Sequence, residues 1–296
     1  MTATNTESHA MDLREVALLE ERRLAVALEK TAAEARVFGA VGADRADPAI
    51  AGVMCRGEPG LWINYAVNVG LHTDKTGPVT RAQMDAMIAF YAEKGIEPRI
   101  EITPFIDESL RVLLAELGFV VRQFENVFFR PLLRGETVRP CVPTPADVSL
   151  VKVDPANEDE LTDCGRVVLA GFLPPGQAPT QSDFDLFFKM SRHPRTVTIA
   201  AKVDGRVVGC GGMEVGGEVG ALFGAVVAPE QRKRGVQQAL LAARLTYLAA
   251  DGARVATISS RPGVATERNC QRLGFRLGYT KLAMVRPGAG LAPVYG

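Results

Sequence analysis

Apolar residues along this chain recur with two periods, one near 3.6 residues and one near 2, the signatures of helices and strands. Residues 7–34, most of them in "LREVALLEERRLAVALEKTAAEA", predict one long helix of strong helix formers. "LWINYAVNVGL" (61–71) predicts a strand and "TRAQMDAMIAFYAEKG" (80–95) a helix closed by a C-cap glycine. A short strand "RIEIT" (99–103) and a helix "DESLRVLLAELG" (107–118) follow. "FVVRQFENVFFRPL" then reads as a strand pair. The pattern breaks at "RGETVRPCVPTPAD" (134–147), whose prolines and polar residues mark a linker.

Beyond it, "VSLVKV" (148–153) predicts a strand, and "EDELTDCGRVVLAGFL" and "SDFDLFFKMS" two helices. Residues 196–216 form a predicted hairpin turning at Asp204–Gly205. A strand over 218–229 leads to a helix from about Val236 to Asp251, with Val236, Leu240, Ala243 and Tyr247 at helical spacing. A strand at 254–259, a short helix ending in "RLGF" and closing strands complete the chain. The two halves echo each other: residues 91–131 line up with 248–287, Gly95 with Gly252, Gly118–Phe119 with Gly274–Phe275, Pro131 with Pro287. Such self-similarity predicts two copies of one fold, with domains at 1–134 and 148–296 and a linker at 135–147.

Between the strand at 218–229 and its helix stands "PEQRKRGVQQALL", with Arg232, Lys233 and Arg234 side by side before Gly235. Free N–H groups at a helix start, the helix dipole and three cations suit a phosphate. Gly235 allows close backbone approach. The stretch carries neither a P-loop nor a GxGxxG fingerprint, so the pyrophosphate of another nucleotide-containing cofactor is expected.

The rest of the composition narrows the classes. Acids and bases balance at 34 each in 296 residues, so no overall field draws in nucleic acid or anionic membrane. No apolar run approaches the roughly 20 residues of a membrane helix, and no signal peptide is visible. Five scattered cysteines without a CxxC pair, and three histidines (His9, His72, His193) without metal spacing, point to a reduced, cytoplasmic, metal-free protein. Nothing in the pattern fixes an oligomeric state.

The order of elements, with "VVAPEQRKRGVQQALL" and "RLGFR" (272–276), resembles the GCN5-related N-acetyltransferases (GNAT) over most of residues 148–287. Arg232 and Gly235 match the first positions of the family's acetyl-CoA signature; Gln237 stands where the family has Gly or Ala. The resemblance implies an α/β chain of the α+β mixed-sheet kind, with two GNAT-like domains, each a mostly antiparallel central sheet flanked by helices. It implies acetyl-CoA as co-substrate, with Ala225, Val226 and Val227 splayed along the pantetheine arm. Backbone N–H groups of Lys233, Arg234, Gly235, Val236, Gln237 and Gln238 would hold the pyrophosphate, with Asn269 near the pantetheine amides. Cys270 stands where many members carry a tyrosine and is the candidate proton donor. The position of a fifth-strand carboxylate falls near Thr257 or Ile258, so Glu214, Glu218, Asp183 and His193 become candidate bases.

In the first half, Lys75–Thr76–Gly77–Pro78 align with the basic loop, and proline supplies no N–H. That copy is expected to have lost its cofactor loop, with Trp62, Tyr65, Phe90 and Tyr91 as core. The function so implied is an acyl-CoA-dependent N-acyltransferase acting on a small-molecule or peptide amine that enters near residues 172–188. The alternative is a non-catalytic CoA-binding or interaction protein of the same fold.

Overall fold

The computed structural model describes residues 11–39, 47–173 and 177–293. Residues 7–10 of the expected first helix, His9, and residues 174–176 of the expected acceptor region lie outside them.

The first half runs α1 (Leu13–Thr31), β1 (Glu34–Val37), α2 (Pro48–Ala51), β2 (Val53–Arg56), β3 (Tyr65–Val67), α3 (Thr73–Thr76), α4 (Arg81–Ala92), β4 (Arg99–Ile102), α5 (Glu108–Glu116) and β5 (Val120–Pro131). The second runs β6 (Val148–Lys152), α6 (Glu158–Phe172), α7 (Gln181–Ser191), β7 (Thr196–Val203), β8 (Arg206–Glu214), β9 (Val219–Val227), α8 (Val236–Asp251), β10 (Val255–Ser260), α9 (Ala265–Arg272) and β11 (Arg276–Val285). Local chemistry sets many boundaries. Asp12 caps α1 by accepting the Arg14 N–H at 3.1 Å. The β7–β8 turn holds Asp204 at φ 49° and Gly205 at φ 78°, the two positive values a type I′ turn requires. The halves also close their helices alike: Ile96 N–H reaches Tyr91 O at 3.1 Å, and Ala253 N–H reaches Leu248 O at 3.0 Å. Phe119 N–H to Leu114 O (3.0 Å) is matched by Phe275 N–H to Cys270 O (3.1 Å).

All strands join one mixed, mostly antiparallel sheet in the order β1-β2-β3-β4-β11-β5-β10-β9-β8-β7-β6. The two halves therefore share a sheet and exchange their last strands. β11 lies between β4 and β5, and β5 lies between β11 and β10. The expected strand pair over 119–132 is instead a single strand of 12 residues. "QFEN" offers no glycine for a tight turn, so the chain runs straight and pairs with β11, from Arg276↔Phe129 to Val285↔Val120.

One apolar cluster gathers Leu240, Leu245, Leu248 and Phe275 under α8; another gathers Phe90, Tyr91, Leu110 and Leu114 in the first half. Of the aromatic set, Tyr65, Phe90 and Tyr91 are buried, while Trp62 is 41% exposed.

Helix α1 crosses the junction with buried charges. Glu20 accepts the Thr257 hydroxyl at 2.7 Å and pairs with Arg23, which also binds Glu214. Lys281 Nζ meets Glu21 at 3.0 Å and Glu101 at 3.4 Å, and Glu101 meets Arg99 at 2.8 Å. Burial works against the lysine charge, yet the carboxylates of Glu21 and Glu101 hold it well above the usual lysine range.

Opposite Lys281 on β5, burial and then the charge of Glu101 push Glu125 up from 4.5 to about 7. A carboxyl raised in the fold contributes stability that is full below its unfolded value and is lost as pH rises through its folded one. Wild-type stability should therefore carry a component that falls between about pH 4.5 and 7. Glu125→Gln should remove that component and be relatively more stable above pH 7. Urea melts of both proteins across this range measure it; parallel pH curves would contradict the assignment.

Candidate active site

Two features converge at the carboxyl end of β9. First, β9 pairs in parallel with β10 only from Val219↔Val255 to Leu222↔Ile258. From Phe223 onward β9 leaves β10 behind and a wedge opens. A bulge drives the departure: the β8–β9 register shifts between Cys210↔Val226 and Gly212↔Phe223, with Gly224 at φ 60°. Arg244, fully buried, clamps this bulge from α8. Its Nη1 donates to Gly212 O at 3.0 Å and Phe223 O at 3.4 Å, and Nε donates to Leu240 O at 3.1 Å. With no carboxylate beside it, burial lowers its pKa to about 10. Gly211 leaves room for it, since a Cβ there would lie 2.8 Å from Arg244 Cζ.

Second, α8 starts at the wedge without a side-chain cap. Its N-cap is Gly235 at φ 89°, a conformation glycine adopts readily and side chains resist. Among the described residues, no acceptor meets the backbone N–H groups of Lys233, Arg234, Gly235, Val236, Gln237 and Gln238; the first paired N–H of the helix is that of Ala239, on Gly235 O. A run of free donors at a dipole's positive end is an anion cradle. Ala228 N–H bonds Val208 O, so strand alternation turns the Val227 N–H and carbonyl toward the wedge. Arg232 sits there, its Nε donating to Val227 O at 3.2 Å.

The three cations divide. Arg232 and Lys233 are exposed. Arg234 binds both Asp147 oxygens at 2.7 Å and also Gln231, so it anchors the linker. The linker then follows α8: Val138 N–H donates to Thr246 Oγ1 at 3.0 Å, and Cys141 N–H to Gln238 Oε1 at 3.1 Å. Gln237 does not obstruct the cradle. Its Oε1 accepts the Asn269 amide at 2.9 Å, while Asn269 Oδ1 accepts from Gln238 at 3.4 Å. Gln237, Gln238 and Asn269 thus tie α8 to α9. Ala225 and Val226 are half-buried along the wedge, while Val227 and Val236 are buried.

Cys270 stands apart. It is fully buried in the α8 cluster, and burial pushes its thiol up to about 12. That position gives it packing neighbours and no route to a reacting atom, so its geometry favours a core role over proton donation. Cys270→Ala should lower the melting temperature and leave turnover per folded molecule unchanged; a large drop in kcat with intact cofactor affinity would restore the proton donor.

The candidate bases are engaged elsewhere. Glu214 binds Arg23 and, at 3.3 Å, Arg195. Glu218 pairs with Arg254 at 3.0 Å. Asp183 completes the capping box of α7 with Thr180, and His193 Nδ1 accepts the Arg195 N–H at 3.2 Å.

The first half presents the contrasting case. β3 touches β4 only through Ala66↔Ile100, but the space beyond is filled. A Cβ on Gly70 would lie 2.6 Å from Leu110, and Gly70 O accepts the Asp107 N–H at 3.3 Å. The start of α4 is closed by a capping box between Thr80 and Gln83. No helix among the described residues is long and apolar enough to cross a membrane.

Residues 166–275 match the acetyltransferase (GNAT) family model. No curated protein matches the chain by sequence. Among solved structures, a GCN5-related N-acetyltransferase from Kribbella flavida superposes with a TM-score of 0.61 at 15% identity, covering 92% of this chain and 97% of that one. A tandem GNAT protein from the clavulanic acid biosynthesis pathway gives 0.58 at 17% identity, covering 80% and 78%. A GCN5-related N-acetyltransferase from Sphaerobacter thermophilus gives 0.51 at 16%, covering 78% and 75%. These likenesses establish the fold.

Proposed function

We propose, from the premise that residues 166–275 form a GNAT-family acetyltransferase domain, that this chain is an acyl-CoA-dependent N-acyltransferase with acetyl-CoA as donor. The observation that carries the reading is the uncapped start of α8 beside the wedge where β9 leaves β10. The residues fit the co-substrate. Six consecutive N–H groups suit a diphosphate, Arg232 and Lys233 add positive charge at the same place, and the open edge of β9 offers peptide groups to an amide-containing arm.

When bound, acetyl-CoA supplies a thioester open to attack by an amine. The chain holds the donor's phosphates at residues 233–238 and leaves Asn269, already turned toward α8, at the arm's border. The Val227 N–H, facing the wedge, is placed to stabilise negative charge on an acyl oxygen. The amine enters from the side of α6 and α7. It is a small molecule or the amine of a peptide. The second half does this work; the first half, its crevice filled by Leu110 and its helix capped by Thr80, has no cofactor loop and shapes the fold.

A second reading rests on the engaged carboxylates and the buried Cys270: a protein that binds CoA without turnover. Release of free CoA from acetyl-CoA, followed over a panel of small amines and peptides, separates the two. Amine-dependent release supports the enzyme. Tight acetyl-CoA binding with no release for any amine supports the binder, and no binding at all would sink both.

A further inference from the structure

The first half has lost a cofactor loop but not its positive charge. Between the start of α1 and the loop after β3 lies a cleft of about 270 Å3. Arg14 and Arg22 reach it from α1, and Lys75 from α3. None of these cations has an ion-pair partner among the described residues. Two acids share the rim: Asp74, and Glu15, which leans on Arg254 at 3.9 Å. The cleft therefore carries an excess of positive charge.

Its wall adds an independent sign. His72 is 9% exposed, and its Nε2 is buried with no hydrogen-bond partner. A buried polar atom left unmade costs about 1–3 kcal/mol, and such groups in folded proteins call for a reason. Burial, followed by the charge of Lys75, holds His72 below its usual pKa, so the ring stays neutral and can donate through one nitrogen. Leu18 and Leu71 line the same cleft with apolar surface.

We propose that this cleft binds a small organic anion, a carboxylate or phosphate group on a short apolar body. Arg14, Arg22 and Lys75 meet the anionic group, and the His72 ring turns its Nε2, buried in the cleft's wall, toward the anion for the hydrogen bond it now lacks. Leu18 and Leu71 face the apolar body. The site does not depend on acyl transfer.

Calorimetry on the full chain tests it with hexanoate and butyl phosphate as probes and hexanol as the uncharged control. At least one anion should bind one-to-one, and hexanol should not. Arg14→Gln with Arg22→Gln should weaken binding at least about tenfold, and both side chains are exposed, so the fold should stand. His72→Phe keeps the ring buried and should also weaken binding. Arg232→Gln with Arg234→Gln should leave it unchanged. Preference between the two anions names the headgroup, and either preference supports the site. The proposal falls if neither anion binds, if hexanol binds as well, or if affinity follows Arg232 and Arg234 instead.

Discussion

A Lys281→Met variant should lose about 3–5 kcal/mol of stability, the cost of removing one partner from a buried ionic set. Lys281 is the cation between Glu21 and Glu101, and it faces Glu125 across β5. Methionine fills a similar volume but leaves those carboxylates without their shared counter-charge. Arg99 still serves Glu101 at 2.8 Å, so Glu21 becomes the most exposed to the loss. Its carboxyl is already raised, by burial first, with Lys281 the cation that draws it down and the Tyr279 hydroxyl donating to it at 3.1 Å. The variant should recover stability in mild acid, where Glu21 is protonated, and Glu21→Gln in the same chain should restore part of it at neutral pH. Urea denaturation at pH 5 and pH 8 reads both effects. A Lys281→Met protein as stable as wild type at pH 8 would mean that the network contributes nothing.

Gly235→Val should reduce acetyl-CoA affinity by at least tenfold, about 1.4 kcal/mol or more. The backbone at 235 sits at φ 89°, where a β-branched residue is a true outlier. An added Cβ would meet Val142 only at 3.4 Å, an ordinary contact, so the strain lies in the backbone. Its relief rotates the peptide planes on both sides, and those planes carry the N–H groups of the cradle. Gly252→Asn is the control: at the far end of α8 its glycine is left-handed, with φ 95° and ψ 13°, and has open space around it, and asparagine tolerates that region. Calorimetry with acetyl-CoA should show loss for the first and none for the second. Wild-type affinity in Gly235→Val would remove the phosphates from this loop.

What the sequence disclosed was whatever is decided within a few residues. Asp204–Gly205 could only be a hairpin turn, and Gly235 and Gly252 bracket α8 at the positions its pattern predicts. The short strands β1 and β2 are not legible in the pattern: EARV runs on from the helix-forming stretch of α1, and VMCR does not alternate apolar with polar residues as RIEI of β4 does. The pairing of β5 with β11 escaped for another reason. Both segments read as strands, but Val127 meets Tyr279 across a distance that no local signal spans. The site divides the same way. Its loop was legible from Arg232 and Gly235, whereas the partner that draws Arg234 aside, Asp147, is 87 residues away. Cys270 looked reactive by position in a motif, and only packing shows the thiol enclosed. The sequence of α1 does carry a signal for its buried charges: Glu20 and Glu21 interrupt a leucine-rich run, and a buried helix face with paired acids needs cations from elsewhere.

The exchange of β5 and β11 also sets an order of events during synthesis. A nascent chain that has emerged as far as the linker holds β4 and β5 without the strand that belongs between them. Neither edge is satisfied until the last long strand leaves the ribosome, so the first half waits for the second instead of folding ahead of it. Such long-range closure slows folding and leaves strand edges open to other chains meanwhile. A fragment ending before β6 should accordingly be prone to aggregate, and adding a peptide of residues 276–285 should rescue its solubility.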